Sequence, residues 1–275
     1  SEKRPMIALT FDDGPGEYTS ELLDCLEENN AHATFFMLGQ NVENYQDDVK
    51  RMLELGCEIG NHSWDHANMY ELSLDSVVKE FNDADQALID ACGQASTVVR
   101  APYGNANEDI MNAVGKPFFM WSLDSLDWKY KDVDLDYKSI MQDNSSVIKD
   151  GTIILMHDIH EPSVKAAERI IPELINMGFK LVTVSEMAEA KNVTLQNASY
   201  NNFWQDILDQ GLVPGYAGNS TSDADTSDGT ESDGSDGSDG SDGTEDSSDG
   251  SEEGTGSDGS EDYSDGSEDG SDSSE

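Results

Sequence analysis

The sequence predicts an α/β fold in which a parallel sheet closes into a barrel. Short apolar runs alternate with amphipathic helical patterns seven times, and five of those runs end in polar motifs. Alternation of this kind produces a parallel sheet with right-handed crossovers, which is either a barrel or a doubly wound sheet. Reacting groups gather at the C-terminal strand ends of a barrel, whereas a doubly wound sheet concentrates its ligands at one switch point. The spread of the motifs over several strands therefore favours the barrel.

Each predicted strand is an apolar run, and each predicted helix repeats apolar residues at three- and four-residue spacing. We expect strands at Met6–Phe11, Ala33–Leu38, Cys57–Gly60, Thr97–Val99, Phe118–Leu123, Thr152–Met156 and Lys180–Val184. We expect helices at Thr19–Glu28, before Gly56, from Ser73 onward, and around Asp109–Val114, Tyr137–Ile148 and Val164–Met177. Residues 1–200 would form the barrel. Within the C-terminal segment 201–217, a short helix at Asn201–Leu212 that carries Phe203 and Trp204 would pack against it.

The C-terminal part of the chain has a different composition. The chain of 275 residues has a net charge of −43, and from Thr221 to Glu275 it contains 21 acidic residues and neither Lys nor Arg. Repeats of Ser, Asp and Gly cannot bury enough surface to offset the entropy of ordering. We therefore expect residues 218–275 to be a disordered acidic tail or linker, of the kind that joins a tethered module or a cell-wall anchor. Its Asp-Gly-Ser-Asp-Gly units miss the alternate Asp spacing of calcium loops.

Composition also disfavours several classes of partner. Both the tail and the remaining residues are acidic, which argues against nucleic acid and anionic membranes. No apolar run is long enough to span a bilayer. No signal peptide begins at Ser1, although a mature secreted protein would look the same. We also expect the protein to be a monomer. Cys25 and Cys57 belong to apolar patterns, so they predict buried free thiols rather than a disulfide framework.

Five polar motifs at strand ends carry nearly all the concentrated chemistry. They are Thr10-Phe11-Asp12-Asp13-Gly14-Pro15, His62-Ser63-Trp64-Asp65-His66, Arg100-Ala101-Pro102-Tyr103, Asp124-Ser125-Leu126-Asp127-Trp128 and Leu155-Met156-His157-Asp158. On one helical turn, His62 and His66 would face the same way and reach one ion. Asp12 and Asp13 end a strand and point in different directions, so one can bind a metal while the other stays free as a base. Two histidines and an aspartate leave positions open for water and substrate, as in catalytic zinc sites.

The other motifs offer an acid and an orienting cation. His157 terminates a buried strand, and either Asp124 or Asp127 could hold one of its ring nitrogens, fixing the tautomer and raising its pKa. Arg100 ends another strand and is expected to clamp a carboxylate through two hydrogen bonds. The turn after Arg100 would leave the backbone N–H of Tyr103 free to face the site.

In this order and spacing, the five motifs resemble those of the polysaccharide deacetylase family, carbohydrate esterase family four. The resemblance covers the chain from Pro5 to Ala188. It implies a distorted (β/α)7 barrel and one divalent metal ion, usually Zn²⁺, with Co²⁺ or Ni²⁺ as substitutes. It also implies an acetylated polysaccharide or oligosaccharide as partner, and a secreted or cell-wall-associated protein.

The resemblance implies the first half of a mechanism. Asp13, His62 and His66 would hold the metal. Asp12 would be the general base that takes a proton from the metal-bound water, and Arg100 would orient it. The resulting nucleophile would attack the acetyl carbonyl.

The second half concerns the leaving group and the substrate. His157, held by Asp127, would protonate the leaving group, and the Tyr103 N–H would stabilise the developing oxyanion together with the metal. Trp128 and Leu155 would form the apolar pocket for the acetyl methyl group. The residues expected to contact the substrate are Tyr103, Trp128, Leu155, Asp124 and His160.

Four functions remain open at this point. The leading hypothesis is removal of N-acetyl groups from N-acetylglucosamine units of chitin or peptidoglycan. The stretches Trp121–Lys129 and His157–His160 most resemble the bacterial-type peptidoglycan and chitin deacetylases of the family. An acetylxylan esterase shares the same five motifs, so O-deacetylation is the alternative. A non-catalytic carbohydrate-binding relative is a remote alternative, since Asp12 and His157 are both present. The acidic tail could also act as an ion-binding surface.

Overall fold

The computed structural model describes residues 4–211. The strands in that range are β1 (Met6–Asp12), β2 (Thr34–Met37), β3 (Glu58–Asn61), β4 (Phe118–Phe119), β5 (Leu123–Asp124), β6 (Thr152–His157), β7 (Lys180–Leu181) and β8 (Ser199–Tyr200). The helices there are α1 (Thr19–Glu28), α2 (Gly39–Val42), α3 (Gln46–Glu54), α4 (Leu74–Cys92), α5 (Glu108–Val114), α6 (Asp127–Tyr130), α7 (Val133–Lys138), α8 (Glu161–Asn176), α9 (Val184–Ala190) and α10 (Gln205–Asp209). The predicted tail, 218–275, lies outside the described residues, as do residues 212–217.

A parallel sheet with the order β3-β2-β1-β6-β5 forms the centre of the fold, and β7 also pairs with β1. Single bridges continue the pairing from Asn61 to Val99 and from Val99 to Phe118. These bridges link β3 to β4, whereas β5, a few residues after β4, pairs with β6 at the other edge of the sheet. The order of paired strands therefore runs from β5 across the sheet to β3 and back to β4. The α/β class with a parallel sheet is confirmed, and this returning path agrees with the expected barrel.

The sheet register places the ends of neighbouring strands side by side. Asp12 at the end of β1 is opposite Phe36 in β2 and His157 at the end of β6. Asn61 ends β3 next to Met37 of β2. Since all these strands are parallel, the residues that follow them meet at one end of the sheet.

The predicted fifth strand is interrupted, and the reason is a buried side chain. Arg100 donates from Nε to the carbonyl of Phe119 and from Nη2 to that of Met120, both at 2.8 Å. These carbonyls are therefore bonded to a guanidinium instead of a neighbouring strand. The predicted fourth strand, Thr97–Val99, is reduced to the bridges at Val99.

Capping side chains set several helix boundaries. Ser73 accepts from the Ser76 N–H before α4, as the sequence suggests, and the capping box of Thr183 and Glu186 starts α9. That cap shortens the predicted seventh strand to β7, because Thr183 already belongs to the helix start. The predicted helix Tyr137–Ile148 is observed as α7 followed by a π-turn over Ser139–Asp143 and a 3₁₀ turn.

The C-terminal segment packs on the sheet, but not in the way expected. Phe203 is fully buried against Phe119 and Tyr200, and β8 pairs with β4. The helix α10 begins only after Trp204, whose indole Nε1 donates to Thr152 Oγ1 at 3.1 Å. Thus the two aromatic residues anchor the segment before the helix rather than from within it.

Two further expectations concern thiols and membranes. Cys25 and Cys57 are buried free thiols, as predicted, and burial raises the pKa of each to about 11. Among the helices of residues 4–211, none combines the length and the apolar character that crossing a bilayer requires.

Candidate active site

A cavity of about 380 Å³ opens where the strands end. The predicted site residues that line it are Asp12, Asp13, His62, His66, Tyr103, Asp124, Trp128, Leu155 and His157, joined by Ala101, Gly104 and Trp121. Arg100 and Asp127 are fully buried and bonded to lining residues, whereas His160 is not among the lining residues. Residues from five separate motifs therefore meet in one cavity.

Asp13, His62 and His66 form a three-donor cluster whose ligand atoms lie within 4.8 Å of one another. The Nε2 atoms of His62 and His66 are 3.3 and 3.4 Å from Asp13 Oδ1. In the part of the chain that the structure describes, no other group of three or more His, Cys, Asp or Glu side chains is close enough to hold a metal ion.

The two histidines converge without the helical turn that their spacing predicts, so that expectation was wrong. Ser63 and His66 have φ values of 76° and 69°, in the left-handed region, and the segment is a loop. Side chains stabilise this loop: Asn61 Oδ1 accepts from the Ser63 N–H and Ser63 Oγ from the His66 N–H. The imidazole rings consequently approach to 5.0 Å between centroids.

Electrostatics at the cluster fit a divalent cation. Asp13 Oδ1 is buried and has no hydrogen-bond partner in the described residues, which is costly for a carboxylate unless a cation satisfies it. Burial raises the pKa of Asp13, but the nearby histidines outweigh it and lower the pKa to about 2. His62 Nδ1 lies 2.7 Å from the carbonyl oxygen of Arg100, a contact that directs Nε2 towards Asp13. Two imidazoles and a carboxylate suit a first-row divalent metal.

Asp12 is separate from this cluster and bound to Arg100. The Asp12 side chain is buried, and its Oδ1 accepts from Arg100 Nη1 at 2.8 Å. The expected two-bond clamp is not observed, because the Nε and Nη2 groups of Arg100 donate to backbone carbonyls and Nη1 also donates to Thr10 Oγ1. The guanidinium lies 4.3 Å from the centroid of the Phe36 ring. This leaves Asp12 Oδ2 directed away from the arginine, 3.6 Å from His62 Nε2.

His157 is held by Asp127, which decides between the two predicted partners. The Asp127 carboxylate accepts from the His157 backbone N–H at 2.8 Å and contacts His157 Nδ1 at 2.7 Å. Burial lowers the pKa of His157, but the hydrogen bond to Asp127 and the charges of Asp127, Asp12 and Asp13 raise it to about 9. Asp124 instead accepts from the Leu126 N–H.

Aromatic side chains form the mouth of the cavity. Tyr103 has a φ of 61° and its exposed ring packs edge-on against His66, with centroids 4.6 Å apart. Trp128 is about half-exposed, and its indole Nε1 lies 3.5 Å from Asp124 Oδ2. Leu155 is buried at the cavity wall. The cavity therefore joins an apolar wall to a polar floor.

Two buried acids near the site were not assigned a role from the sequence. Asp158 is fully buried directly after His157, and its position in the fifth motif was the available signal. Asp136 is fully buried on α7, where neither carboxylate oxygen has a hydrogen-bond partner among the described residues. Burial and the charge of Asp127 raise the pKa of Asp136 to about 7.

The substitution Asp136→Asn should stabilise the protein at neutral and alkaline pH. The folded state holds the proton more tightly than the unfolded state, so ionisation favours unfolding once the pH exceeds about 4. We expect the free energy of unfolding to rise by up to about 4 kcal/mol near pH 8 and to stay unchanged near pH 3.5. Urea unfolding of both proteins at the two pH values measures this; an equal change at both would refute the buried-acid explanation.

Comparisons with known proteins agree with this geometry. A family model described as polysaccharide deacetylase matches residues 1–117. The peptidoglycan-N-acetylmuramic acid deacetylase PdaC of Bacillus subtilis is 40% identical over 187 residues, which are 68% of this chain and 39% of that protein. This chain thus spans about two fifths of the length of the curated relatives it matches first.

Two solved structures share the fold over nearly their full length. A structure described as T48 deacetylase with substrate has a TM-score of 0.68 and 38% identity, covering 72% of this chain and 97% of that one. A family 4 acetyl xylan esterase from Clostridium thermocellum, in complex with a cobalt ion, has a TM-score of 0.66 and 31% identity, covering 72% and 98%. On these matches the chain belongs to the polysaccharide deacetylase family, carbohydrate esterase family four.

Proposed function

We propose that this protein is a metal-dependent hydrolase that removes acetyl groups from a polysaccharide, with N-acetylglucosamine units of chitin or peptidoglycan as the substrate. One observation carries the proposal: a single cavity contains a metal-type donor cluster beside two acid–base groups, each held by its own buried partner. Hydrolysis of an acetyl group needs an activated water, a base and an acid, and this arrangement supplies a residue for each.

The donor cluster of Asp13, His62 and His66 would hold the metal, for which we propose Zn²⁺. When bound there, the ion would supply Lewis-acid chemistry, lowering the pKa of water and polarising the acetyl carbonyl. Cobalt or nickel would serve as substitutes, and the cobalt ion in the related Clostridium thermocellum esterase supports that substitution.

Asp12 is proposed as the general base. Its Oδ1 is occupied by Arg100 while Oδ2 points towards the donor cluster, so one oxygen anchors the group and the other can accept a proton from the attacking water. Arg100 is fully buried and its guanidinium makes four hydrogen bonds, which leaves the Asp12 carboxylate little freedom to rotate. A base held in this way needs little reorganisation in the transition state.

His157 is proposed as the general acid. Asp127 contacts Nδ1, so Nε2 faces the cavity, where it lies 3.8 Å from Asp13 Oδ2. The raised pKa of about 9 means that the ring carries the proton it must give to the leaving group. The proposed acid and base extend from paired positions at the ends of two neighbouring strands, β6 and β1.

The remaining roles concern the acetyl group itself. We assign the backbone N–H of Tyr103 to the developing oxyanion, since the positive φ of Tyr103 turns this segment at the cavity edge. Leu155 and Trp128 would bound the space for the methyl group. Asp124 would contact the substrate and orient Trp128, and His160 would contact only a longer chain at the rim.

Replacing Asp127 with Asn should lower kcat by about 10² to 10⁴. The two Asp127 oxygens contact the His157 backbone N–H and Nδ1. Asn offers only one acceptor oxygen and no negative charge, so the pKa of His157 falls and its tautomer is no longer fixed. Steady-state acetate release across pH 6–9 would test this, with Asp132→Asn on the exposed cap of α7 as the matched control. An Asp127→Asn enzyme with the wild-type pH profile would contradict the assignment.

The substrate is the point on which the two candidate functions differ. The similarity to a peptidoglycan deacetylase supports N-deacetylation, and the similarity to an acetyl xylan esterase supports O-deacetylation. Acetate release from chitooligosaccharides, peptidoglycan and acetylated xylan, measured side by side, separates them. Turnover of the two amide substrates is expected; activity on xylan alone would refute the N-acetyl proposal.

The site argues against a non-catalytic relative, because Asp12 and His157 both line the cavity. For the whole protein we propose a monomer that is secreted or associated with the cell wall, where such polysaccharides lie. We propose that the acidic tail acts as a tether. Full activity after deletion of residues 218–275 would be consistent with tethering, whereas loss of activity on soluble substrate would give the tail a catalytic part.

A further inference from the structure

Two hydrogen bonds hold the backbone of Asp13 at the turn that follows β1. The Asp13 N–H donates to the carbonyl of Phe36, and the Asp13 carbonyl accepts from Asn41 Nδ2 at 2.9 Å. Asp13 itself has a φ of 74°, which is strained for a residue with a Cβ atom. A ligand in such a conformation persists only where its surroundings enforce it.

Asp158 lies directly against this turn. A Cβ atom added to Gly14 would clash with the carboxylate of Asp158, so this carboxylate packs on the Gly14 Cα with no room for a side chain between them. Asp158 is fully buried, and its Oδ1 has no hydrogen-bond partner in the described residues. The Asp158 carboxyl group therefore packs directly against Gly14, the residue that follows the proposed metal ligand Asp13.

A hydrogen-bond relay links the same carboxyl group to the other end of the turn. Thr19 Oγ1 donates to Asp158 Oδ2 at 2.7 Å and accepts from the Gly16 N–H at 2.8 Å. A hydroxyl has one proton, so Thr19 can fulfil both roles only if an acceptor lies at the Asp158 position. An apolar side chain there would leave the buried hydroxyl without an acceptor.

We propose that Asp158 is a positioning residue for the metal ligand Asp13, acting on Gly14 by contact and on Gly16 through Thr19. It does not reach the donor cluster; it fixes the turn from which Asp13 extends. The inference rests on the metal site of the proposed function, but it concerns affinity for the ion rather than turnover. Residues that orient a metal ligand in this way contribute about 10- to 100-fold to metal affinity.

The test is zinc competition against a chelator, starting from the zinc-loaded full chain. Asp158→Ala is expected to weaken zinc binding at least about 10-fold, because it removes both the contact with Gly14 and the acceptor. Asp158→Asn keeps the shape and an acceptor for Thr19, so it is expected to bind zinc like the wild type. Thr19→Val keeps the packing but breaks the relay, and should weaken binding by an intermediate factor.

The matched control is Asp136→Ala, which removes another fully buried acid that lies outside the Asp13 turn. It is expected to change the unfolding midpoint in excess chelator while leaving zinc affinity unchanged. Wild-type affinity in Asp158→Ala, or equal weakening in Asp136→Ala, would overturn the proposal. If Asp158→Ala does not fold, unchanged affinity in Thr19→Val overturns it instead.

The measurement is independent of the proposed reaction, because zinc competition requires no substrate. Suppose that the protein releases no acetate, but that its zinc affinity falls from the wild type to Thr19→Val and falls further in Asp158→Ala. That result would refute the deacetylase proposal and support the positioning role of Asp158. An active enzyme in which all variants bind zinc equally would do the reverse.

Discussion

Replacing Asp12 with Asn is expected to lower kcat for acetate release by about 10³-fold while zinc remains bound. General base catalysis contributes about 10²- to 10⁴-fold, and an amide cannot take the proton of the attacking water. The amide oxygen can still accept from Arg100 Nη1, so the buried guanidinium keeps its partner and the fold is preserved. The assay is kcat with bound zinc measured on the same sample.

The control for this variant is Asp109→Asn, the same substitution at an exposed position in the first turn of α5. It should leave both kcat and zinc content unchanged. If Asp12→Asn kept wild-type turnover with one zinc bound, the base would have to be another group and the assignment of the two adjacent acids would be wrong. A loss of zinc along with turnover would instead place Asp12 among the ligands.

Removing the metal is expected to have the other large effect. A divalent ion that polarises a carbonyl and activates water contributes several kcal/mol to transition-state stabilisation, or about 10³-fold in rate. Treatment with a chelator should reduce acetate release by at least that factor, and added Zn²⁺ should restore it. His66→Ala should require far more zinc for the same recovery, since one of three donors is missing.

A histidine outside the cluster provides the matched control. His32 Nδ1 contacts Glu186 Oε1 at 2.8 Å, and His32 precedes β2 at the opposite end of the strand from the site. His32→Ala should therefore lose some stability but recover with the same zinc concentration as the wild type. Full activity in a chelator-treated protein shown to be free of metal would refute the metal-dependent mechanism.

Much of the fold could be predicted, and the exceptions have identifiable causes. Strands β1, β2, β3 and β6 match predicted apolar runs, because buried parallel strands need continuous apolar residues. The sequence predicts the fifth strand as one segment. In the structure, the guanidinium of Arg100 donates hydrogen bonds to the carbonyls of Phe119 and Met120, and the segment is divided into β4 and β5. A contact between residues about twenty positions apart leaves no mark on the local apolar pattern.

The candidate site, like the fold, could be predicted in part from the sequence. The residue types and strand-end positions identified Asp12, Asp13 and His157, because a polar group that ends a buried strand is exceptional. The geometry of His62 and His66 was mispredicted as a helical turn, because the left-handed φ of Ser63 and His66 depends on side-chain hydrogen bonds within the loop. The choice between Asp124 and Asp127 also required the structure, since both end the same segment.

The sequence by itself determined the class of fold, the family and most of the side chains that line the cavity, since five spaced motifs at strand ends specify which residues can meet. Only the tertiary structure decided what each group touches: Asp127 rather than Asp124 on His157, one bond rather than two from Arg100, and Asp158 beneath the Asp13 turn. The physical reason is that position along a strand fixes which end a residue reaches, whereas hydrogen-bond partners depend on distances between separate strands.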